Sequence, residues 1–371
     1  MSVTPNCTAA TATASNAMPT LCVDHGAVHR LHLAWNGTVL AAALPLNAAA
    51  LWAFVGPLRL RTAVTVYLAN LAACDLLFAL SLPLRLLYYA TGRWTLGDAL
   101  CRLAGSLFQL NMYGSCLFLT AVNVDRYLAL ACPLRSRAFN RRSVSWKVCG
   151  AVWALIALGS VPVAMVHDSS KCLRSGSCDE ETRCFESFSD RTWRRELLPL
   201  VAVAEILGFL LPLAAVLYCS ARVLEALWKG GGLGGPGGQR KSKGKWRRKT
   251  ILLLVANALI FVVCFAPYNL VLAGYALSRS HLLQLSGVSE KTLRLTLQVT
   301  VLLSGTNCCL DPLVYYYSTE GFRATFRGVA TGRYALTSRS ALTSRNRSQG
   351  TELNRMVRLE RVREASGDSV V

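Results

Sequence analysis

The chain has 371 residues, of which 53% are hydrophobic and only 16% charged, and it carries a net charge of +20. About a quarter of the residues of a soluble globular protein are charged, so a set of water-soluble domains is excluded. The basic residues flank long apolar blocks, which speaks against nucleic-acid binding and for contact with anionic membrane lipids.

Residues 1–32 are rich in Thr and Ala and lack the basic start and apolar centre of a cleaved signal peptide. They read as an extracellular tail, in which Asn6-Cys7-Thr8 is a glycosylation sequon. Seven mostly apolar stretches follow, at 33–56, 64–90, 100–131, 146–166, 197–227, 250–277 and 293–317. About twenty apolar residues cross a bilayer as a helix, the form that satisfies its own backbone groups there. The expected fold is an all-α membrane protein, a seven-transmembrane helix bundle over residues 33–330, with a disordered cytoplasmic tail at 331–371. The bundle domain ends in a short amphipathic cytoplasmic helix, because Phe322 and Phe326 share a face with Arg323 and Arg327 beside them.

The connections orient the bundle. The link 133–148 holds five Lys/Arg and no acid and 229–249 holds eight and no acid, whereas 167–195 sets six bases against six acids. Lys/Arg excess marks the cytoplasmic side, which puts the amino terminus outside a multi-pass plasma-membrane protein. The Gly-rich start of 229–249 predicts a mobile linker that ends in a basic cluster. Cys7, Cys22, Cys101, Cys172, Cys178 and Cys184 then face the oxidising side, and counting them leaves their connectivity open.

Polar residues inside the apolar stretches carry the functional signal. Asn47, Asp75, Asn111, Ser115, Asn307 and Asp311 lie at mid-membrane depth in four helices. Such groups must pair with one another, with water or with an ion. Asp125-Arg126-Tyr127 ends the third stretch at the cytoplasmic mouth, where Asp125 is expected to restrain Arg126. The start of helix six, Lys245-Trp246-Arg247-Arg248-Lys249, offers no acid to compete for that arginine. Pro267 and Pro312 remove helix hydrogen bonds and give helices six and seven places to bend.

The outer helix ends are cationic: Arg85 beyond Pro83 in helix two, His167, Arg195, Arg279 and Arg294. Arginine pairs bidentately with phosphate or carboxylate, so these ends read as an anion site. Arg85 and Arg279, on helices two and six, are expected to clamp one phosphate. Glu205, inside helix five, pairs with an arginine or binds a ligand hydroxyl in this reading.

With Asp125-Arg126-Tyr127, the phrases NAAALW at 47–52, LAACD at 71–75, CFAPY at 264–268 and NCCLDPLVYYY at 307–317, and the residues Trp153 and Pro212, form an ordered set. The set resembles the rhodopsin-like (class A) G-protein-coupled receptors over about residues 33–330. The resemblance implies that outward movement of helix six frees Arg126 and opens a cavity for heterotrimeric G proteins and arrestin. Tyr127, Tyr218, Phe265, Pro267, Asp311, Pro312 and Tyr315 would transfer the signal, with Tyr218 and Tyr315 facing that cavity. It further implies a Cys101–Cys184 disulfide and a water or sodium cluster around Asp75. Cys22 is then paired with Cys172, since 278–292 holds no Cys to accept it. Phe265 stands where most of that family has Trp, and Asp311 where Asn is commoner.

Within that family, DLLFALSLPLRL at 75–86, FQLNMYGSC at 108–116 and AEILGFLLPLAAV at 204–216 are similar to the lysophosphatidic acid receptor branch. That similarity implies a lysophospholipid ligand, lysophosphatidic acid first, with its acyl chain along Phe108 and Met112. Its G-protein partners would be of the Gq and Rho-activating types. A nucleotide, as in purinergic receptors, is the competing ligand. A membrane transporter is the competing class, but the chain shows no internal repeat. No nucleophile–base pair or metal spacing points to an enzyme. The end, Ser369-Val370-Val371, resembles a PDZ-domain ligand.

Overall fold

The computed structural model describes residues 26–132, 141–166, 170–173, 180–184, 193–229, 237–283 and 289–330. Among them, seven helices are long and apolar enough to cross a membrane. They are α1 (Gly26–Val55), α2 (Ala63–Thr91), α3 (Gly97–Leu130), α4 (Arg141–Val166), α5 (Trp193–Lys229), α6 (237–279) and α7 (Glu290–Ser318). A hairpin of β1 (Ser170–Leu173) and β2 (Glu180–Arg183) lies between α4 and α5 in the chain. The chain divides into two compact units, residues 1–319 and 320–371. The second contributes α8 (Glu320–Ala330), in which the Phe322 and Phe326 rings stack at 6.1 Å.

Local chemistry sets several ends. Thr62 caps α2: its hydroxyl accepts from Thr65 N at 3.2 Å while its own N–H donates to Thr65 Oγ1 at 3.0 Å. Gly92 ends α2 at φ 72°, a left-handed turn that favours glycine, and its N–H reaches Tyr88 O. Ser289 caps α7 by accepting from Thr292 N at 3.1 Å.

The helices form a ring in which α2 packs on α1 and α3, α3 on α4 and α5, α6 on α7, and α7 back on α1. The exterior is apolar, and the largely apolar interior encloses a polar cluster. Leu158, Met165 and Leu270 are 73%, 72% and 70% exposed, while Asn47, Asp75, Asn307 and Asp311 are fully buried. An apolar exterior around an enclosed polar cluster is what a hydrocarbon solvent selects.

Departures from ideal helix differ from the sequence expectation. In α6 a π turn, Ile260–Phe265, stands directly before Ala266-Pro267, where the ring of Pro267 removes the N–H that would close the α-turn. In α7 the regular helix breaks at Thr306, and Pro312 stays inside the helical segment Asn307–Ser318. A further π turn in α5, Glu205–Leu210, contains no proline. Residues 237–249, expected as part of a mobile linker, extend α6, since beyond the Gly run they are mostly Lys and Arg, which are good helix formers.

Candidate functional site

Arg85 is inside the bundle, 6% exposed. It lies two residues beyond Pro83 on α2, donates through Nη2 to Ala104 O at 3.0 Å, and sits with Cζ 5.3 Å from the centre of the Phe108 ring. Phe108 is in turn held edge-on by Tyr268 at 5.5 Å. The arginine is thus fixed by a helix carbonyl and a ring face, with its fork pre-set before any ligand arrives.

Arg85 and Phe108 line a cavity of about 320 Å³. Its side between α1, α2 and α7 is polar and carries His29, His32, Tyr89, Arg294 and Gln298. The side between α3, α4 and α5 is apolar, with Leu117, Ile156, Val201 and Leu207. Cys184 lines the outer wall and is bonded to Cys101, so β2 is tied to the start of α3. A second tie is the hydrogen bond from Trp94 N to Thr182 O at 2.8 Å. A cavity with cations at one end and hydrocarbon at the other fits an amphiphile with an anionic head.

The sequence expectations meet this geometry unevenly. Arg85, Phe108 and Arg294 line one cavity. Arg279 does not; its Nη1 donates to Glu290 at 2.6 Å, in a pair whose glutamate is more than half exposed. The Arg85–Arg279 clamp is therefore not formed, and Arg294, one helix along, stands in the place given to Arg279. Met112 is fully buried but outside the lining. Glu205 lies on the π turn of α5, also outside the lining, and its Oε1 has no hydrogen-bond partner. His167, Cys22, the Cys172 side chain and Asn6 lie outside the described residues. Sequence reading passed over His29 and His32, although HRLH puts two imidazoles three apart on one helix face. His32 stacks on Tyr89 at 4.5 Å, which walls the polar side.

Below the cavity lies the polar cluster. Asn111 Nδ2 donates to Asp75 Oδ1 at 2.9 Å, Asn307 Nδ2 to Asp311 Oδ2 at 3.4 Å, and Asn47 Nδ2 to Cys308 O at 2.8 Å. Tyr315 Oη reaches both Asn47 Oδ1, at 3.0 Å, and Asp75 Oδ2, at 2.9 Å. Tyr315 was expected in a cytoplasmic cavity with Tyr218; it is fully buried in this cluster instead. Tyr218 is 57% exposed and packs edge-on against Tyr127 at 5.8 Å. The buried oxygens Asn111 Oδ1 and Asn307 Oδ1 have no hydrogen-bond partner. The Asp75 and Asp311 carboxylates with the Asn111, Ser115 and Asn307 oxygens are a hard donor set, which fits a small cation.

At the cytoplasmic end the expected Asp125–Arg126 restraint is replaced by two other contacts. Arg141, at the start of α4, donates through Nε to Asp125 Oδ1 at 3.1 Å and closes a fork on the same carboxylate. Arg126 turns away and donates through Nη2 to the carbonyl of Ser318 at 2.5 Å. That carbonyl ends α7 and has no helical donor of its own, so an arginine there also meets the negative end of the helix dipole.

Residues 46–315 match the family described as 7 transmembrane receptor (rhodopsin family). The chain belongs to that family. It is a multi-pass plasma-membrane G-protein-coupled receptor and not an enzyme, as the receptor motifs implied. Over 315 residues this receptor is 52% identical to lysophosphatidic acid receptor 5 of Bos taurus, covering 85% of its own chain and 83% of that protein. It is 50% identical to lysophosphatidic acid receptor 5 of Mus musculus over 320 residues, 86% and 83% of the two chains. A purinoceptor of Rattus norvegicus is more distant, at 33% over 311 residues, 82% and 90% of the two chains.

Proposed function

We propose that this receptor is activated by a lysophospholipid with a phosphate monoester head, lysophosphatidic acid being the nearest match. The observation that carries the reading is the two-sided cavity: buried Arg85 with Arg294 at the polar side and hydrocarbon between α3, α4 and α5. The relatives named above as lysophosphatidic acid receptors support it. A nucleotide would use the arginines but leave the apolar side unfilled, so the purinergic reading ranks second. The head lies against Arg85, Arg294 and the His29–His32 wall, and the chain runs past Phe108 into the apolar side.

The amino terminus is outside, with Asn6 glycosylated and Cys22 joined to Cys172. Heterotrimeric G proteins of the Gq and Rho-activating types enter at Arg126 when α6 moves outward, and arrestin uses the same opening. Ser369-Val370-Val371 offers its end to a PDZ domain. A sodium ion sits between Asp75 and Asp311 in the resting state, which offsets two buried carboxylates that are costly together. Exchanging sodium for choline should then alter agonist affinity in the wild type and leave the Asp75→Asn/Asp311→Asn pair unmoved, as read by radioligand binding.

Nucleotide exchange on purified G proteins, with the receptor in bilayer discs, tests the ligand class. Lysophosphatidic acid should accelerate exchange at concentrations where uridine and adenosine nucleotides do nothing. Acceleration by a nucleotide alone would overturn the assignment.

A further inference from the structure

Gly208 sits on the π turn of α5, and both it and Tyr113 of α3 line the cavity. A Cβ at residue 208 would stand 2.4 Å from Tyr113 Cδ1, 2.9 Å from Cε1 and 3.1 Å from Cγ. All three contacts are atoms of one ring and none is backbone, so the ring of Tyr113 occupies the notch left by the missing side chain. Gly159, on the α4 side of the same cavity, differs: a Cβ there would meet nothing within 4 Å. The close approach at Gly208 is therefore a property of the α3–α5 contact and not of small residues in general.

The π turn explains why the glycine faces α3. One extra residue in the turn rotates the following face of the helix, and such turns recur at functional sites. On α3, Gln109, Tyr113 and Leu117 follow one another four apart down one face, and all three line the cavity. Tyr113 is the middle step. A chain entering from the Phe108 level must pass its ring before it reaches Leu117.

We infer that Tyr113, seated in the notch at Gly208, is the gauge that sets how long an acyl chain this receptor accepts. The inference rests on the lysophospholipid reading. With glycine at 208 the ring lies back against α5 and leaves the passage to Leu117 open. A methyl at 208 evicts the ring from the notch, and the side open to it is the cavity it already lines. Gly208→Ala therefore shortens the apolar arm, whereas Tyr113→Ala lengthens it.

The test is a series of saturated lysophosphatidic acids that differ by two methylenes, read as exchange dose–response on full-length receptor of matched surface density. Burial of two methylenes corresponds to roughly a tenfold change in affinity. Gly208→Ala should lose about that factor for the longest chains and little for the shortest, and Tyr113→Ala should move the optimum to longer chains. The double variant should show the Tyr113→Ala profile, because the methyl then has no ring to displace; contacting residues are non-additive in this way. Wild-type length profiles in both single variants, or additive effects in the double, would overturn the inference. A wild-type receptor silent to the whole series would instead overturn the ligand class, so the two failures are distinguishable.

Discussion

Arg85 is buried and Arg126 half-buried, in opposite halves of one bundle, and each donates Nη2 to a backbone carbonyl: Ala104 at 3.0 Å and Ser318 at 2.5 Å. The carbonyls differ in kind. Ala104 lies inside α3, in a straight stretch of helix that also presents the Phe108 ring beneath the guanidinium. Ser318 is the last residue of α7, where the chain leaves the helix. The outer arginine is thus built into a rigid wall, which suits recognition, because a fixed fork costs little to order on binding. The inner arginine is tied to a helix end that a small rotation can withdraw, which suits switching. The acid beside Arg126 makes the same point. Asp125 is adjacent to Arg126 in the chain yet is held by Arg141 from α4, so Arg126 is kept from its nearest counter-charge.

Substitutions at four arginines test that contrast. The largest effect is expected for Arg126→Ala, which should abolish agonist-stimulated nucleotide exchange while agonist affinity, measured by direct binding, stays near wild type. Parallel loss of both would merge the two arginines into one structural role. Arg85→Ala should weaken a lysophosphatidic agonist by roughly ten- to hundredfold, since a hydrogen bond to a charged group contributes about 1.5–3 kcal/mol. Arg85→Lys should recover only part of this, because lysine lacks the planar fork; an unchanged Arg85→Ala curve would remove it from the site.

Arg141→Ala should release Asp125 to pair with Arg126 and lower agonist-stimulated exchange by about tenfold, on the same magnitude for a charged pair. Adding Asp125→Asn should restore most of it, and a double variant no better than Arg141→Ala would place the role of Arg141 elsewhere. The smallest effect belongs to Arg279→Ala. Its partner Glu290 is largely exposed, and exposed pairs contribute about 0–1 kcal/mol, so agonist potency should stay within about threefold of wild type. A hundredfold loss there would return Arg279 to the headgroup site.

The architecture was legible because length and polarity alone specify a bilayer-spanning helix. Asp75 and Asn111 were legible as partners for the same reason: two polar groups at one depth have few alternatives in hydrocarbon. What failed depended on which way a helix face points. Arg279 and Arg294 both sit at outer helix ends, and nothing in their spacing tells that Arg294 lines the cavity while Arg279 meets Glu290. Arg141 was read as part of a basic cytoplasmic link, since nothing local marks it as the first turn of α4 across from Asp125. His29 and His32 were assigned to the amino-terminal tail because HRLH lowers the apolarity there, yet α1 begins at Gly26. Gly208 gave no signal at all, for a missing side chain is informative only when the ring that fills its place is known.

Tyr315 has one hydroxyl hydrogen and two oxygen neighbours, Asn47 Oδ1 and Asp75 Oδ2, at 3.0 and 2.9 Å. Both neighbours accept, unless Asp75 carries a hydrogen of its own. Counted as stoichiometry, the knot that joins α1, α2 and α7 is one hydrogen short whenever Asp75 is ionised. A rearrangement that parts Tyr315 from either oxygen changes that count. Parting Tyr315 from one of them removes the shortfall with no hydrogen gained or lost, so the knot loosens at one oxygen more cheaply than its two contacts suggest.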